Sequence, residues 1–266
     1  MNWMFWPTVI LAAAFFWLGH FFQPGLRSRS SRVAFSITAS ILALPGITYA
    51  IYYTRLLGEP VWLYELRTMP GSELAAAGAG LVAGYLHGLR NSHPALKRQL
   101  RRLTLPCAFA LLLAIPYLKP IVRPLNRSLL RNEWQEGVCI QSTPSTCGPA
   151  SAATLCRLAG KQVEEAELAK ESFTYAGGTE NWYMARALRR RGMSTTFLKQ
   201  DATENPLPTP TIAGVKLAQG AGHFIALIGR EGTNYVVGDP LEGREVLSLP
   251  ELKSRYQFTC FFMEVR

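Results

Sequence analysis

Acidic residues are nearly absent from the first half of this 266-residue chain. Residues 1–132 hold fourteen Lys and Arg against three Glu (Glu59, Glu65, Glu73) and no Asp, whereas residues 133–266 hold fourteen basic and fifteen acidic residues. The formal net charge of +10 therefore belongs to the N-terminal half. Its charges fall in short tracts between long apolar runs, a pattern that fits a membrane protein and argues against a nucleic-acid partner, which needs a continuous basic face. Histidine is scarce: of four residues, His20 and His87 lie in apolar runs, His93 lies in a basic tract, and His223 alone lies beyond residue 132. One such histidine and five scattered cysteines lack paired ligand spacing, so neither a zinc site nor any cofactor is expected. No G-x-x-x-x-G-K-S/T phosphate loop occurs, so the chain is not expected to power transport.

What the N-terminal half does have is long runs with little charge, the third holding Glu73 and the fourth Lys119. Spans are predicted near residues 3–22, 33–53, 70–89 and 103–122, each close to the twenty or so residues that a hydrocarbon core of about 30 Å requires. In the third, Gly80, Gly84 and Gly88 recur every fourth residue, a ridge that lets a second helix approach closely. Pro45 and Pro116 are expected to kink their helices. No Lys or Arg precedes the first run and no small-x-small site follows it, so it is expected to stay as an anchor. Arg27, Arg29 and Arg32 share a side with Arg90, Lys97, Arg98, Arg101 and Arg102, against Arg55, Arg67, Arg123, Arg127 and Arg131 opposite. This bias puts the first set in the cytoplasm and residues 133–266 outside it.

From Glu133 the pattern turns globular. Helices are predicted over Pro149–Leu158, Val163–Glu171 and from Gly177 through Arg190, with strands over Ser194–Leu198, Thr211–Lys216, His223–Ile228, Tyr235–Val237 and Phe258–Glu264. Helices first and strands after give an α+β domain with an antiparallel sheet, behind an all-α transmembrane bundle of about four helices. The expected domains are 1–132 and 133–266.

The tract Gly137 to Ser151 carries the chemistry. Gln141 stands six residues before Cys147, and Gly148 and Pro149 follow at a helix start. A cysteine in a first turn sits at the positive end of the macrodipole, which favours thiolate, and an upstream glutamine can donate to an oxyanion. His223 opens a hairpin strand; folding about residue 231 sets it directly opposite Asp239, on the same face. Asp239 can then orient the imidazole toward a nucleophile. Separately, a cysteine at a helix start is usually a small buried hydrophobe, and Asp-Pro at 239–240 usually starts a turn. It is the convergence of Gln141, Cys147, His223 and Asp239 that points to nucleophilic catalysis. Cys156 lies about half a revolution round the helix and faces the core. Cys139, Cys107 and Cys260 sit in apolar contexts, and spacing gives no support for a Cys139–Cys260 disulfide.

Gln141-x5-Cys147-Gly148-Pro149-Ala150, Gly160, Gly178-Thr179, Leu188, Gly192, Pro210, Gly222-His223-Phe224 and Asp239-Pro240 together resemble the bacteriocin-processing cysteine peptidases that remove double-glycine leaders. The resemblance covers residues 133–266 and implies a papain-like fold. It makes Cys147 the nucleophile, His223 the base, Asp239 its orienting residue and Gln141 an oxyanion donor, with cleavage after paired glycines of a leader peptide. Two departures stand out. Thr146 occupies the position before the cysteine where the family commonly has Asp, and the membrane segment precedes the peptidase. The resemblance thus implies a free-standing, membrane-anchored member in a bacterial inner or plasma membrane. Its partners would be a peptide substrate, the lipid bilayer and a separate transporter. The alternative is a catalytically silent leader-binding module of an export assembly.

Overall fold

The computed structural model describes residues 2–22, 26, 28–54, 59–92, 115, 117–201, 206–218 and 220–266. Most of the fourth predicted span, with Pro116, His93 and Cys107, lies outside the described residues. The chain divides into two compact units, Met1–Glu59 with Met69–Leu118, and Pro60–Thr68 with Lys119–Arg266.

The first unit is helical, with α1 (Phe5–Phe22), α2 (Arg29–Thr54), α4 (Ser72–Ala76) and α5 (Ala79–Ser92). Among the described residues, α1 is the helix long and apolar enough to cross a membrane, with a mean hydropathy of 1.6. Trp3, Trp6, Ile10, Trp17 and Phe21 are exposed along it. Pro45 lies inside α2, where the Thr48 hydroxyl donates to its carbonyl at 2.5 Å. The third predicted run is two helices, broken near Gly78, where a Cβ would stand 2.1 Å from the Leu42 carbonyl oxygen. The glycine ridge does face a neighbour. A Cβ on Gly80 would lie 2.2 Å from the carbonyl oxygen of Ala12, and one on Gly84 1.8 Å from that of Phe16, so α1 and α5 meet backbone to backbone. His20 and His87 face each other across this contact with ring centroids 5.3 Å apart.

The second unit is built on a six-stranded antiparallel sheet of order β3-β8-β4-β5-β6-β7. Its strands are β3 (Thr195–Lys199), β4 (Thr211–Lys216), β5 (Gly222–Glu231), β6 (Asn234–Asp239), β7 (Gly243–Leu247) and β8 (Gln257–Val265). A two-stranded hairpin, β1 (Glu133–Gln135) with β2 (Val138–Ile140), precedes α6 (Cys147–Leu158), α7 (Glu165–Glu171) and α8 (Asn181–Arg190). Alternation along β4, β5 and β6 sends Ala213, Val215, Ile225, Leu227, Tyr235 and Val237 to one face. There they pack with Leu252 and Tyr256 at the end of α9 (Leu249–Arg255). α6 is buried from Cys147 to Cys156 and is stitched to β5 by the Ser151 hydroxyl, which donates to the Phe224 carbonyl at 3.1 Å.

This unit also takes in α3 (Val61–Thr68) from far upstream. Tyr64 packs on Phe197 and Phe261 with ring centroids 5.2 and 5.4 Å away. Glu65 accepts from the Phe197 N–H at 3.2 Å and from Arg189 at 2.8 Å, and the buried Arg67 guanidinium lies over the Trp182 ring at 4.3 Å. Nothing in the hydropathy pattern of the first half singles out this eight-residue helix as part of the globular unit.

Candidate active site

Local chemistry explains the placement of Cys147. The loop before it closes on Thr146, whose hydroxyl donates to the Thr143 carbonyl at 3.0 Å and accepts from the Thr143 N–H at 3.0 Å. Thr146 is fully buried and held in this turn, which gives the residue before the cysteine a use that requires no carboxylate. Cys147 is then the first residue of α6, where a backbone N–H has no partner within the helix. The helix was expected to begin at Pro149; the tighter start puts the thiol on the helix itself.

The β5–β6 hairpin carries the other half, in a register different from the expected one. Glu231 pairs with Asn234, so the turn is Gly232-Thr233 rather than centred on 231, and Gly232 takes the positive φ of 60° that the turn requires. A bulge follows between Leu227 and Gly229, where Ile228 is the extra residue, and Ala226 then pairs with Gly238. Asp239 is consequently diagonal to His223, not opposite. The face is still shared, and His223 Nε2 lies 2.8 Å from Asp239 Oδ1 with both side chains buried. Nδ1 is the remaining ring nitrogen, and Cys147 lies near enough to favour the charged form of the imidazole.

Asp239 is held from three directions. Oδ1 also accepts the Leu241 N–H at 2.8 Å, and Oδ2 accepts the Tyr256 hydroxyl at 2.5 Å. The Asp-Pro pair therefore does start a turn, and the same carboxylate faces the histidine. Burial alone would raise the Asp239 pKa. The hydrogen bonds from His223, Tyr256 and Leu241 outweigh burial and hold the carboxyl below its usual range. Burial likewise pulls His223 down. The hydrogen bonds to Asp239 and Cys147, with their negative charge, override it and raise the imidazole to about 9. The histidine is thus an imidazolium at neutral pH.

Gln141 joins this cluster through its backbone, donating to the Pro240 carbonyl at 2.9 Å, one residue past Asp239. Its side chain donates Nε2 to the Thr143 carbonyl at 3.0 Å, while Oε1 is buried with no hydrogen-bond partner among the described residues. Nε2 carries a second proton beyond the one given to Thr143.

Sequence reasoning missed two contributors. Glu165, fully buried at the start of α7, accepts from both the backbone N–H (2.9 Å) and the hydroxyl of Ser142, clamping the loop between Gln141 and Cys147. Tyr256 is the second. Its distance in sequence from Asp239 left no local signal, although Ser248-x-x-Glu251 is a capping-box motif that marks the helix leading to it. Burial raises Cys139 to about 12 and Cys156 to about 11, so both stay protonated. Cys139, Cys147, Cys156 and Cys260 are all free.

A cysteine at a helix start and a buried histidine bonded to a carboxylate are the residue types that a cysteine-type peptidase uses. The sequence model of the Peptidase C39 family matches residues 135–266, and the chain belongs to that family. Uncharacterised proteins of Methanothermobacter marburgensis and Methanothermobacter thermautotrophicus are each 30% identical to it over 109 residues, 41% of this chain and 75% of theirs. Among solved structures, it is similar to the peptidase domain of Streptococcus ComA, a bi-functional ABC transporter involved in quorum sensing. That match has 24% identity and a TM-score of 0.42, covering 47% of this chain and 94% of the domain. A double-glycine-motif protease from an AMS/PCAT transporter, in complex with the leader peptide, matches at 20% identity and a TM-score of 0.42, covering 51% and 92%.

Proposed function

We propose that this chain is a membrane-anchored endopeptidase that cuts after small residues, Gly-Gly in leader peptides foremost, through Cys147, His223 and Asp239. The observation that carries this reading is the buried His223 bonded to Asp239 at 2.8 Å, with Cys147 at the start of α6 favouring its charged form. The Cys147 thiolate attacks the scissile carbonyl, and the Cys147 backbone N–H with Gln141 stabilises the oxyanion. His223, already protonated, gives its proton to the leaving amine, and water then hydrolyses the thioester with the neutral imidazole as base. A Gly-Gly peptide joined to a fluorogenic amine tests it. The parent chain should release the amine by cutting after the second glycine, and Cys147→Ala should lose on the order of a thousandfold or more in rate. Equal rates in the two would overturn the assignment.

The membrane part of the proposal is four spans, with the peptidase outside the cytoplasm. Supporting it, Pro60–Thr68 is built into the peptidase unit. Two crossings between Met69 and Leu118 would return the chain to the side of Pro60–Thr68, as that arrangement needs. The basic residues near the first and third spans favour the cytoplasm for the opposite side. Alkaline phosphatase fused after Arg266 should be active; fluorescence there from a reporter that matures in the cytoplasm alone would reverse the placement. Such tethering fits substrates presented at the membrane by a separate transporter.

A further inference from the structure

Asp239 has two carboxylate oxygens, and the aspartate χ2 torsion is soft, so one hydrogen bond to His223 does not by itself fix the carboxylate plane. Yet that plane decides where the imidazole points. The second oxygen is taken by Tyr256, whose hydroxyl approaches to 2.5 Å and whose side chain is 2% exposed. Burial and the neighbouring carboxylate push this phenol far above its usual pKa, so it stays neutral and can donate.

The chain spends structure on placing this hydroxyl. Tyr256 terminates α9, a two-turn helix with Pro250 in its first turn and a full capping box in which Ser248 and Glu251 bond each other's backbone N–H. Leu252 anchors the helix in the core, and the Tyr256 N–H closes it by donating to the Leu252 carbonyl at 3.0 Å. β8 begins at the next residue. The ring could be phenylalanine for packing purposes; among the described residues the hydroxyl bonds Asp239 alone.

We propose that Tyr256 is a positioning residue for the reaction: by fixing Asp239 Oδ2 it keeps Oδ1 on His223 Nε2 and so holds the imidazole in line with Cys147. This rests on the triad reading above. The sign of its electrical effect follows. A carboxylate that loses a donor becomes a stronger partner for an imidazolium, so removing the hydroxyl raises the pH at which His223 loses its proton even as it loosens the geometry.

The test uses the full chain and two readouts: iodoacetamide alkylation of Cys147 from pH 5 to 10, and cleavage of the Gly-Gly peptide. Tyr256→Phe should slow cleavage about tenfold, the worth of a hydrogen bond to a charged group, and move the basic inflection of alkylation up by roughly half a pH unit. Replacing Tyr256 by 3-fluorotyrosine keeps the packing and strengthens the donor, so the inflection should move down. In an Asp239→Asn background, Tyr256→Phe should add nothing to either readout. An unmoved inflection with a parental rate, or a loss that adds in full to that of Asp239→Asn, would overturn the role. Failure of the underlying reading shows differently, as cleavage that survives Cys147→Ala or His223→Ala.

Discussion

His223 and Asp239 stand two residues out of register across the β5–β6 hairpin, yet their side chains meet at 2.8 Å. The diagonal works because strand residues two apart share a face, and the bulge at Ile228 adds local twist that turns the strand ends together. A charge that supports an imidazolium across this diagonal has measurable consequences.

Asp239→Asn should lower the basic limb of the pH–rate profile. With the carboxylate present, His223 holds its proton to about pH 9. Without it, burial dominates and the proton is lost earlier. Cleavage at neutral pH should fall by on the order of a hundredfold or more while Cys147 remains intact. A basic limb that stays put in the variant would show that Asp239 does not set the charge on His223.

Stability should carry the same signature. The folded-state pKa of His223 is raised from 6.5 to about 9, so its contribution is complete below pH 6.5 and is lost as pH rises through 9. The thermal midpoint of the parent chain should drop across that window more than that of His223→Phe. Calorimetry at half-unit steps checks it; parallel curves would contradict the linkage.

Glu165→Ala should loosen the loop that carries Gln141 and Cys147. It strands the Ser142 N–H and hydroxyl, two groups whose unmet hydrogen bonds cost about 1–3 kcal/mol each where buried. Activity and thermal midpoint should both fall, and Glu165→Gln, which keeps an acceptor for one donor, should recover part of each. Cleavage assays with matched melting curves decide it, and a Glu165→Ala chain with parental values in both would remove the clamp from the account.

Tyr64→Ala should destabilise the peptidase unit although it lies some seventy residues before the first residue of that domain's sequence motif. Its ring is buried against Phe197 and Phe261, and truncating a buried aromatic costs about 3 kcal/mol. Hydrogen exchange along Thr195–Lys199 should speed up. Unchanged protection there would mean that α3 merely rests on the sheet.

Much of this site was legible because its parts announce themselves locally. Cys147-Gly148-Pro149 marks a helix start, and a Gly-containing turn between two apolar strands marks a hairpin, so the residue types and the shared face of His223 and Asp239 follow from short-range rules. The register did not, because the bulge at Ile228 lies within the strand, away from the turn residues that mark the hairpin. β7 reads as too polar for a strand, since Arg244 and Glu245 are adjacent in a five-residue segment at the sheet edge. Tyr256 and Glu165 reach the site through tertiary folding alone. The docking of α3 had a faint sign: Glu65 is one of three acids in the first half, and an acid there needs a partner, which Arg189 supplies.

The most direct measurement is to catch the acyl-enzyme. An ester of a Gly-Gly peptide acylates faster than the amide, so deacylation limits turnover and the intermediate accumulates. Acid quenching within the first turnovers, followed by peptide mapping by mass spectrometry, should find the peptide's acyl group as a thioester on Cys147, absent in Cys147→Ala and formed far more slowly in His223→Ala. Turnover of the ester with the acyl group on another residue, or with Cys147 unmodified throughout, would contradict the assignment of Cys147 as the nucleophile.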